Sequence, residues 1–386
     1  MTSQYYHLRL VRWPFPIVPN REYCTFMADR QQLRSDIELL LTTLARRDTS
    51  SIHLFWAWFG AGKTHSLFYV ANQTRELNKS NTGIQLYAVY SEFPKAARSY
   101  LDLYRSFMTY LDVDTLINAF LEVCTCQDSN RLRKNLELAS PDLANALQAL
   151  VTGTTDDQVI ARRWLRAESL PISEFRKIGI SRKINSAEEA IQIFAALISL
   201  LNVSAQCQGR LGFRIVWMLD EFQRIEQCSA YARDEINTGI HSTFNACPIG
   251  LSLFLSFSNR PSPDGLPTWF SSELRDRIGR TRVMILPPML PKEAINFVKD
   301  VLVQHRVPEY SNQSPYFPFS EETCKVIIEE IQKRDELKPR SIMHAFNAVL
   351  QEADPQIESG KMESVSPQYA RDVLANYVVF KDNEDG

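Results

Sequence analysis

The apolar positions change period several times along the chain, and each change predicts an element. From Asp29 onwards Leu33, Ile37, Leu40, Leu41 and Leu44 recur at helical spacing with polar residues between them, predicting a helix that ends near residues 46–48. Residues 51–58, SIHLFWAW, are apolar and aromatic enough for a buried strand. A glycine turn and a helix from Lys63 to about Leu77 follow, then a second strand over 84–89. After Pro94 the pattern stays mainly helical for more than a hundred residues, most regularly over 100–111, 113–123 and 187–201, with a charged stretch over 161–183. Residues 213–219 form a third apolar run that closes on Asp220 and Glu221; 250–257 and 283–286 are further strand candidates. The last hundred residues read as helices around 291–304, 320–333, 339–352 and 367–377.

Strands alternating with helices indicate an α/β domain built on a mainly parallel sheet, and the terminal helices indicate a separate small α domain. Ahead of both stands WPFPIVP, whose Pro14, Pro16 and Pro19 favour extended backbone. Residues 261–267, PSPDGLP, are a loop by composition, and the tail 381–386, KDNEDG, reads as a frayed end.

Composition narrows the class. At about 150 residues per domain, 386 residues suggest two to three domains and ample core, and 45% hydrophobic content excludes disorder and collagen-like chains. There is no apolar run of about 18 residues and no basic-then-apolar leader, which predicts a cytoplasmic protein with no membrane contact. Cysteines at 24, 124, 126, 207, 228, 247 and 324 form no CxxC pair and read as reduced thiols; the lone CxC at 124–126 is a weak metal signal. The net charge of −2 argues against coating nucleic acid by charge alone, while leaving room for a local basic groove.

The strongest chemical signal is the run 57–64, AWFGAGKT, between a predicted strand and a predicted helix. Binding a polyphosphate requires glycines where amides turn inward on an anion, a helix amino terminus, a lysine for the β and γ phosphates and a hydroxyl for Mg²⁺. Phe59, Gly60, Ala61, Gly62, Lys63, Thr64 and His65 are the expected nucleotide-binding run, with Thr64 toward the metal. Ala57 stands where the usual GxxxxGK[ST] pattern has its first glycine, at a cost if positive φ is needed there.

A phosphate loop needs a second carboxylate for the metal and a group that orients water. Asp220 and Glu221 lie at the carboxyl end of a strand, where ligands of open parallel sheets collect. Asp220 is expected at Mg²⁺ and Glu221 at the attacking water. In the next strand end, 256–259 (SFSN), Asn259 is the choice for sensing the γ-phosphate, with Ser256 and Ser258 as alternatives. The basic cluster 273–280 offers Arg277, then Arg275, as an arginine donated to a neighbouring subunit's nucleotide, a solvated basic helix face being the alternative. Arg340, beside Pro339 at a helix start, is placed to reach phosphates from the small α domain.

Together these residues resemble the AAA+ P-loop ATPases, most closely the origin-recognition-like branch. FGAGKTH, the strand ending LDE, SFSN, the RDR cluster and the KPR helix start follow the family's order, over residues 13–353. The resemblance implies that the lead-in 1–30, with Met27-Ala-Asp29-Arg30, lies near adenine, that 31–287 form the ATPase core and that 288–380 form a helical lid. Lys63 and Asp220 are 157 positions apart (220 − 63), more than that core needs, so a helical insertion is expected over about 96–200. The run around Ala161, Arg162, Arg163, Trp164 and Arg166, then Arg176 to Ile180, is similar to ATP-binding proteins of bacterial DNA-modification and phage-defence loci, the BREX-type and DNA phosphorothioation-associated ATPases.

The resemblance implies a nucleotide-driven homo-oligomer using ATP and Mg²⁺ beside DNA, with partner proteins of such a system. Arg162, Arg163, Arg166, Arg176, Lys177, Arg182 and Lys183 are the expected DNA-phosphate contacts, against the alternative of a solvated charged face, and Trp164 reads as a packing anchor. Two other functions remain open: a nucleotide-binding scaffold with little hydrolysis, and a transposon target-selection ATPase. After the lid helices too little chain remains for a winged helix of roughly 70 residues.

Overall fold

The computed structural model describes residues 4–18, 21–80, 83–125, 140–261, 265–279 and 282–376. Pro19, Cys126, Arg280, part of the 261–267 loop and the 381–386 tail lie outside the described residues. In chain order the elements are α1 (Gln31–Leu44), β1 (Ser51–Ala57), α2 (Lys63–Ser80), β2 (Ile84–Glu92), α3 (Tyr100–Tyr110), α4 (Val113–Thr125), α5 (Pro141–Thr152), α6 (Thr155–Leu165), α7 (Ile172–Arg176), α8 (Ala187–Cys207), β3 (Gly212–Asp220), α9 (Ala230–Ala246), β4 (Leu251–Ser258), α10 (Ser272–Ile278), β5 (Val283–Ile285), α11 (Pro291–Gln304), α12 (Glu321–Gln332), α13 (Pro339–Glu358) and α14 (Pro367–Asn376). The chain divides into two compact units, one of residues 36–57 and 70–285, the other of residues 1–35, 58–69 and 286–386.

The larger unit holds a five-stranded sheet in the order β2-β3-β4-β1-β5, with every pair parallel. Every residue of β1, β3 and β4 is buried, which is why these strands read as mainly apolar runs. The register sets Glu92 opposite Asp220, Leu219 opposite Leu255 and Ser258 opposite Ala57. The ends of β3 and β4 and the point where the phosphate loop begins therefore share one edge of the sheet, the carboxyl edge where open parallel sheets bind ligands.

At the opposite edge Arg214 enters β3 fully buried. Its guanidinium donates to the carbonyl oxygens of Thr49 (3.0 Å) and Arg47 and to Ser252 Oγ (2.7 Å). Burial lowers its pKa to about 10, so it stays charged at neutral pH, held by carbonyl dipoles. Beside it His53 is stacked on Phe254 and burial holds it neutral, its pKa pushed down to about 3.

The described residues between β2 and β3 are mainly helical, and their charged part is more ordered than its composition suggests. Residues 161–183 belong to α6, α7 and their connections. Capping boxes at Thr154/Asp157 and Ser186/Glu189 start α6 and α8. Trp164 is 2% exposed and its indole N–H donates to the Arg182 carbonyl (2.8 Å), so it packs. Helix α9 was not expected from the sequence. It approaches α3 so closely that a Cβ on Gly239 would lie 2.4 Å from the Tyr100 ring, whose hydroxyl bonds Thr243 Oγ1 at 2.5 Å.

Helix α8 is long and apolar enough to cross a membrane, which a search for an unbroken apolar run does not register. Its Ile193, Phe194, Leu197 and Leu201 are buried in the same core as Phe107 and Trp217, the place of a core helix.

In the smaller unit the lead-in is part of the core. Leu8, Leu10 and Phe15 are buried with Val298, Ile328 and Phe346, contributed by α11–α13. Trp13 donates its indole N–H to Asn347 Oδ1 (2.8 Å), and Val11 N–H donates to the His305 carbonyl (2.8 Å).

Candidate functional site

The phosphate loop begins where β1 ends. Ala57 is fully buried and accepts a hydrogen bond from Asn259 N–H at 3.2 Å. Its φ is not positive, so alanine costs nothing there. The left-handed positions come later, at Gly60 (φ +76°) and Gly62 (φ +96°). Alternation of this kind makes successive amides converge on one point, the nest geometry that binds anions. Gly60 is also held from α13: Arg340 N–H donates to the Gly60 carbonyl at 3.1 Å, and a Cβ on Gly60 would stand 2.9 Å from Arg340 Cβ. The proline-started helix thus seats its first turn on the loop.

Lys63 opens α2. Its side chain is 6% exposed and donates to the Trp58 carbonyl across the loop (3.0 Å), with the Phe59 ring 5.9 Å from its ammonium. Ala61 is buried, Phe59 is 40% exposed, and Thr64 is half-buried in the first turn.

His65 turns toward the lead-in. One ring nitrogen, Nε2, lies 2.9 Å from the Phe26 carbonyl, and Nδ1 lies 3.3 Å from Cys24 Sγ. Burial lowers the imidazole pKa and pushes the Cys24 thiol up to about 12, so the consistent assignment has Nε2–H donating to the carbonyl and the thiol donating to Nδ1. The side chain at 65 thereby fastens the lead-in to the helix that starts at Lys63. Next along the lead-in, Asp29 is itself left-handed (φ +46°), donates its N–H to Asp300 Oδ2 (3.0 Å) and has its carboxyl lifted to about 6 by burial. Arg30 donates to the Pro287 carbonyl (3.0 Å).

The acidic strand end belongs to the larger unit. Asp220 is 2% exposed; its Oδ2 accepts from Tyr90 O–H (3.1 Å) and its Oδ1 from Glu221 N–H (2.9 Å). Desolvation pushes the Tyr90 phenol pKa up, so it donates at any ordinary pH. Glu221 lies in the left-handed region (φ +59°), a conformation costing a glutamate of order 1 kcal/mol. Its Oε2 accepts from Gln223 Nε2 (2.8 Å), and an Arg224 nitrogen lies 3.7 Å away. Arg224 also donates to Glu92 (3.2 Å) and to the Phe93 carbonyl (2.7 Å).

Of the three candidates at 256–259, Asn259 is half-buried and its Oδ1 accepts from Arg260 N–H (2.7 Å). Ser256 is fully buried, with no hydrogen-bond partner for Oγ among the described residues. Ser258 N–H donates to Gln223 Oε1 (3.1 Å). On α10, Arg275 turns back to the Pro267 carbonyl (2.9 Å) and Arg277 donates to Asn245 Oδ1 on α9. Among the seven candidate DNA contacts, Arg163 and Arg166 share Glu168, at 2.9 and 3.9 Å, and Lys177 pairs with Glu174 (2.7 Å). The local positive charge is therefore smaller than the seven cations suggest.

Tyr90, Gln223 and Arg224 were not singled out from the sequence. Gln223 and Arg224 follow the acidic pair directly, but only the turn of the chain shows that both fold back on Glu221. The cysteines 24, 124, 207, 228, 247 and 324 are free, and no cluster of His, Cys, Asp and Glu suited to a metal ion occurs among the described residues.

No family model matches the chain, and no curated protein matches it. Among solved structures the chain is similar to the ORC1 protein of Aeropyrum pernix in complex with DNA, at 12% identity and a TM-score of 0.51, covering 94% of this chain and 69% of that one. It is likewise similar to the Aeropyrum pernix ORC2 protein in its ADPNP-ADP complexes, at 11% identity and a TM-score of 0.51, covering 98% of this chain and 73% of that one. The fold is accordingly that of these ORC1 and ORC2 proteins, a parallel sheet flanked by helices with a carboxyl-terminal helical domain.

Proposed function

We propose that this chain is an Mg²⁺-dependent ATP hydrolase whose nucleotide state controls self-association and engagement of DNA or an effector, in the cytoplasm, within a bacterial DNA-modification or anti-phage defence system. One observation carries the nucleotide reading: two left-handed glycines precede a buried lysine at a helix start, and the Arg340 backbone binds the same loop. Phe59 to His65 provide the loop, Lys63 and its amides hold phosphates, and Arg340 reaches them from α13. Thr64 and Asp220 are the oxygens offered to Mg²⁺, which when bound screens phosphate charge. Glu221 orients the attacking water, Asn259 or a neighbouring serine of β4 senses the γ-phosphate, and Arg277 serves the site of an adjacent copy. The related fold of a DNA-complexed ORC1 protein supports the DNA element of this reading.

Phosphate release by the purified chain tests it. ATP with Mg²⁺ is expected to give steady turnover that chelation with EDTA stops, and DNA is expected to change the rate. ATP binding without release supports the scaffold alternative instead.

The arginine in trans has a separate test in size-exclusion chromatography with light scattering. ATP is expected to produce a higher-order species that ADP does not, and Arg277→Ala is expected to lower hydrolysis per subunit by about 10³-fold or more when the assembly forms. A monomer under every condition removes the trans role.

A further inference from the structure

We propose that Gln223 is the positioning residue for Glu221 and links that carboxylate to the end of β4; this rests on reading Glu221 as the group that orients water. Gln223 lies in a 3₁₀ turn over Phe222–Gln227 that starts directly after the acidic pair. The turn is anchored by Phe222, which is fully buried, edge-on to Phe93 (5.6 Å between ring centres) and tilted against Phe270 (5.6 Å). A side chain on so firm a support holds its geometry.

Both ends of the Gln223 amide are engaged. Its Nε2 donates to Glu221 Oε2 at 2.8 Å, and its Oε1 accepts from Ser258 N–H at 3.1 Å. The amide has one orientation, since turning it over would set its carbonyl oxygen against the carboxylate and its NH₂ against an N–H donor. The connections continue past Ser258: Asn259 N–H donates to the carbonyl of Ala57, the last residue before the phosphate loop (3.2 Å). A displacement of the β4 end, where Ser256, Ser258 and Asn259 are the candidate γ-phosphate sensors, is thus transmitted to Glu221 through one side chain.

This linkage fits the strain at Glu221. A left-handed glutamate has three torsions to its carboxylate, and the hydrogen bond from Gln223 constrains their direction. Arg224 adds charge attraction at 3.7 Å, but it is committed to Glu92 and the Phe93 carbonyl and does not reach β4.

Gln223→Met keeps the length of the side chain and removes both polar ends. It is expected to lower kcat by about 10- to 100-fold, the usual cost of a misdirected catalytic group, while KM for ATP stays within about 2-fold and Tm within about 2 °C. Gln223→Glu still accepts from Ser258 N–H but opposes Glu221 with a like charge, so it is expected to be slower than the Met variant; a Glu variant as active as wild type overturns the role, whatever the Met variant does. In the Glu221→Gln background, Gln223→Met is expected to have no further effect, because a residue acting through Glu221 has nothing left to position. Additive losses overturn the inference, as does an unchanged kcat in Gln223→Met beside an active wild type. A wild type that releases no phosphate is a different result: it overturns the hydrolase reading, and this role with it.

Discussion

Glu221→Gln is expected to bind ATP as tightly as wild type and to hydrolyse it about 10²- to 10⁴-fold more slowly, the range by which a positioned acid–base group accelerates proton transfer. The substitution is nearly isosteric. A glutamine at 221 tolerates the left-handed φ of +59° no worse than glutamate, and its amide oxygen still accepts from Gln223 Nε2. What is lost is negative charge and proton affinity beside the water. Binding should be unaffected because the phosphates are assigned to the loop and Lys63, and Asp220 keeps its hydrogen bonds from Tyr90 and from the backbone N–H at 221. Titration of a fluorescent ATP analogue together with single-turnover phosphate release measures both quantities on one preparation. Undiminished hydrolysis removes Glu221 from its role, and weakened binding shows that its charge supports the fold of the strand end.

The sheet was legible in the sequence because its central strands are buried on both faces, so each appears as a mainly apolar run. Predicted strands at 51–58, 213–219 and 250–257 correspond to β1, β3 and β4 within one or two residues. Legibility failed where burial is one-sided or where charge conceals a helix. α9 carries few large apolar residues, and what identifies it is Ile236, Ile240 and Phe244 on one face behind the cap at Ser229. α6 hides Ile160, Trp164 and Leu165 among arginines, although Thr154 and Asp157 announce its start. Arg214 was invisible for another reason: a charged residue opening an apolar strand looks exposed, and only the converging carbonyls of Arg47 and Thr49 make its burial feasible.

The site divides along a similar line. Residues whose role depends on backbone were readable: glycines at 60 and 62 imply left-handed turns, a lysine and threonine after them imply a helix start, and an acidic pair after an apolar run implies a strand end. Residues whose role depends on where a side chain turns were not. His65 belongs to the nucleotide-binding run by position, yet its ring fastens Phe26 and Cys24, so what it can offer a ligand is its backbone. Arg277 is likewise directed at Asn245 within its own chain, a contact that service to a neighbouring subunit must break.

Lys63→Met should weaken ATP and ADP binding by about 2–5 kcal/mol, or roughly 30- to 4,000-fold in Kd, the usual loss when one partner of a desolvated charged pair is truncated. AMP should bind this variant much as it binds wild type, because the lysine is assigned to the β and γ phosphates. The starting arrangement makes this separation clean. Lys63 is 6% exposed and its ammonium donates to a neutral carbonyl, Trp58 O. An incoming polyphosphate offers it a charge-assisted partner in the same enclosure, and the exchange of carbonyl for phosphate is strongly favourable. Methionine fills the space of the stem without that charge, and Trp58 O keeps its hydrogen bond from Ala61 N–H (3.4 Å), so the fold is expected to lose about 1 kcal/mol or less, which thermal melting registers separately. Calorimetric titration with AMP, ADP and ATP then separates the effects: a fall confined to the di- and triphosphate assigns the loop to the outer phosphates, whereas an equal fall for all three means that the variant has damaged the loop or the adenosine contacts.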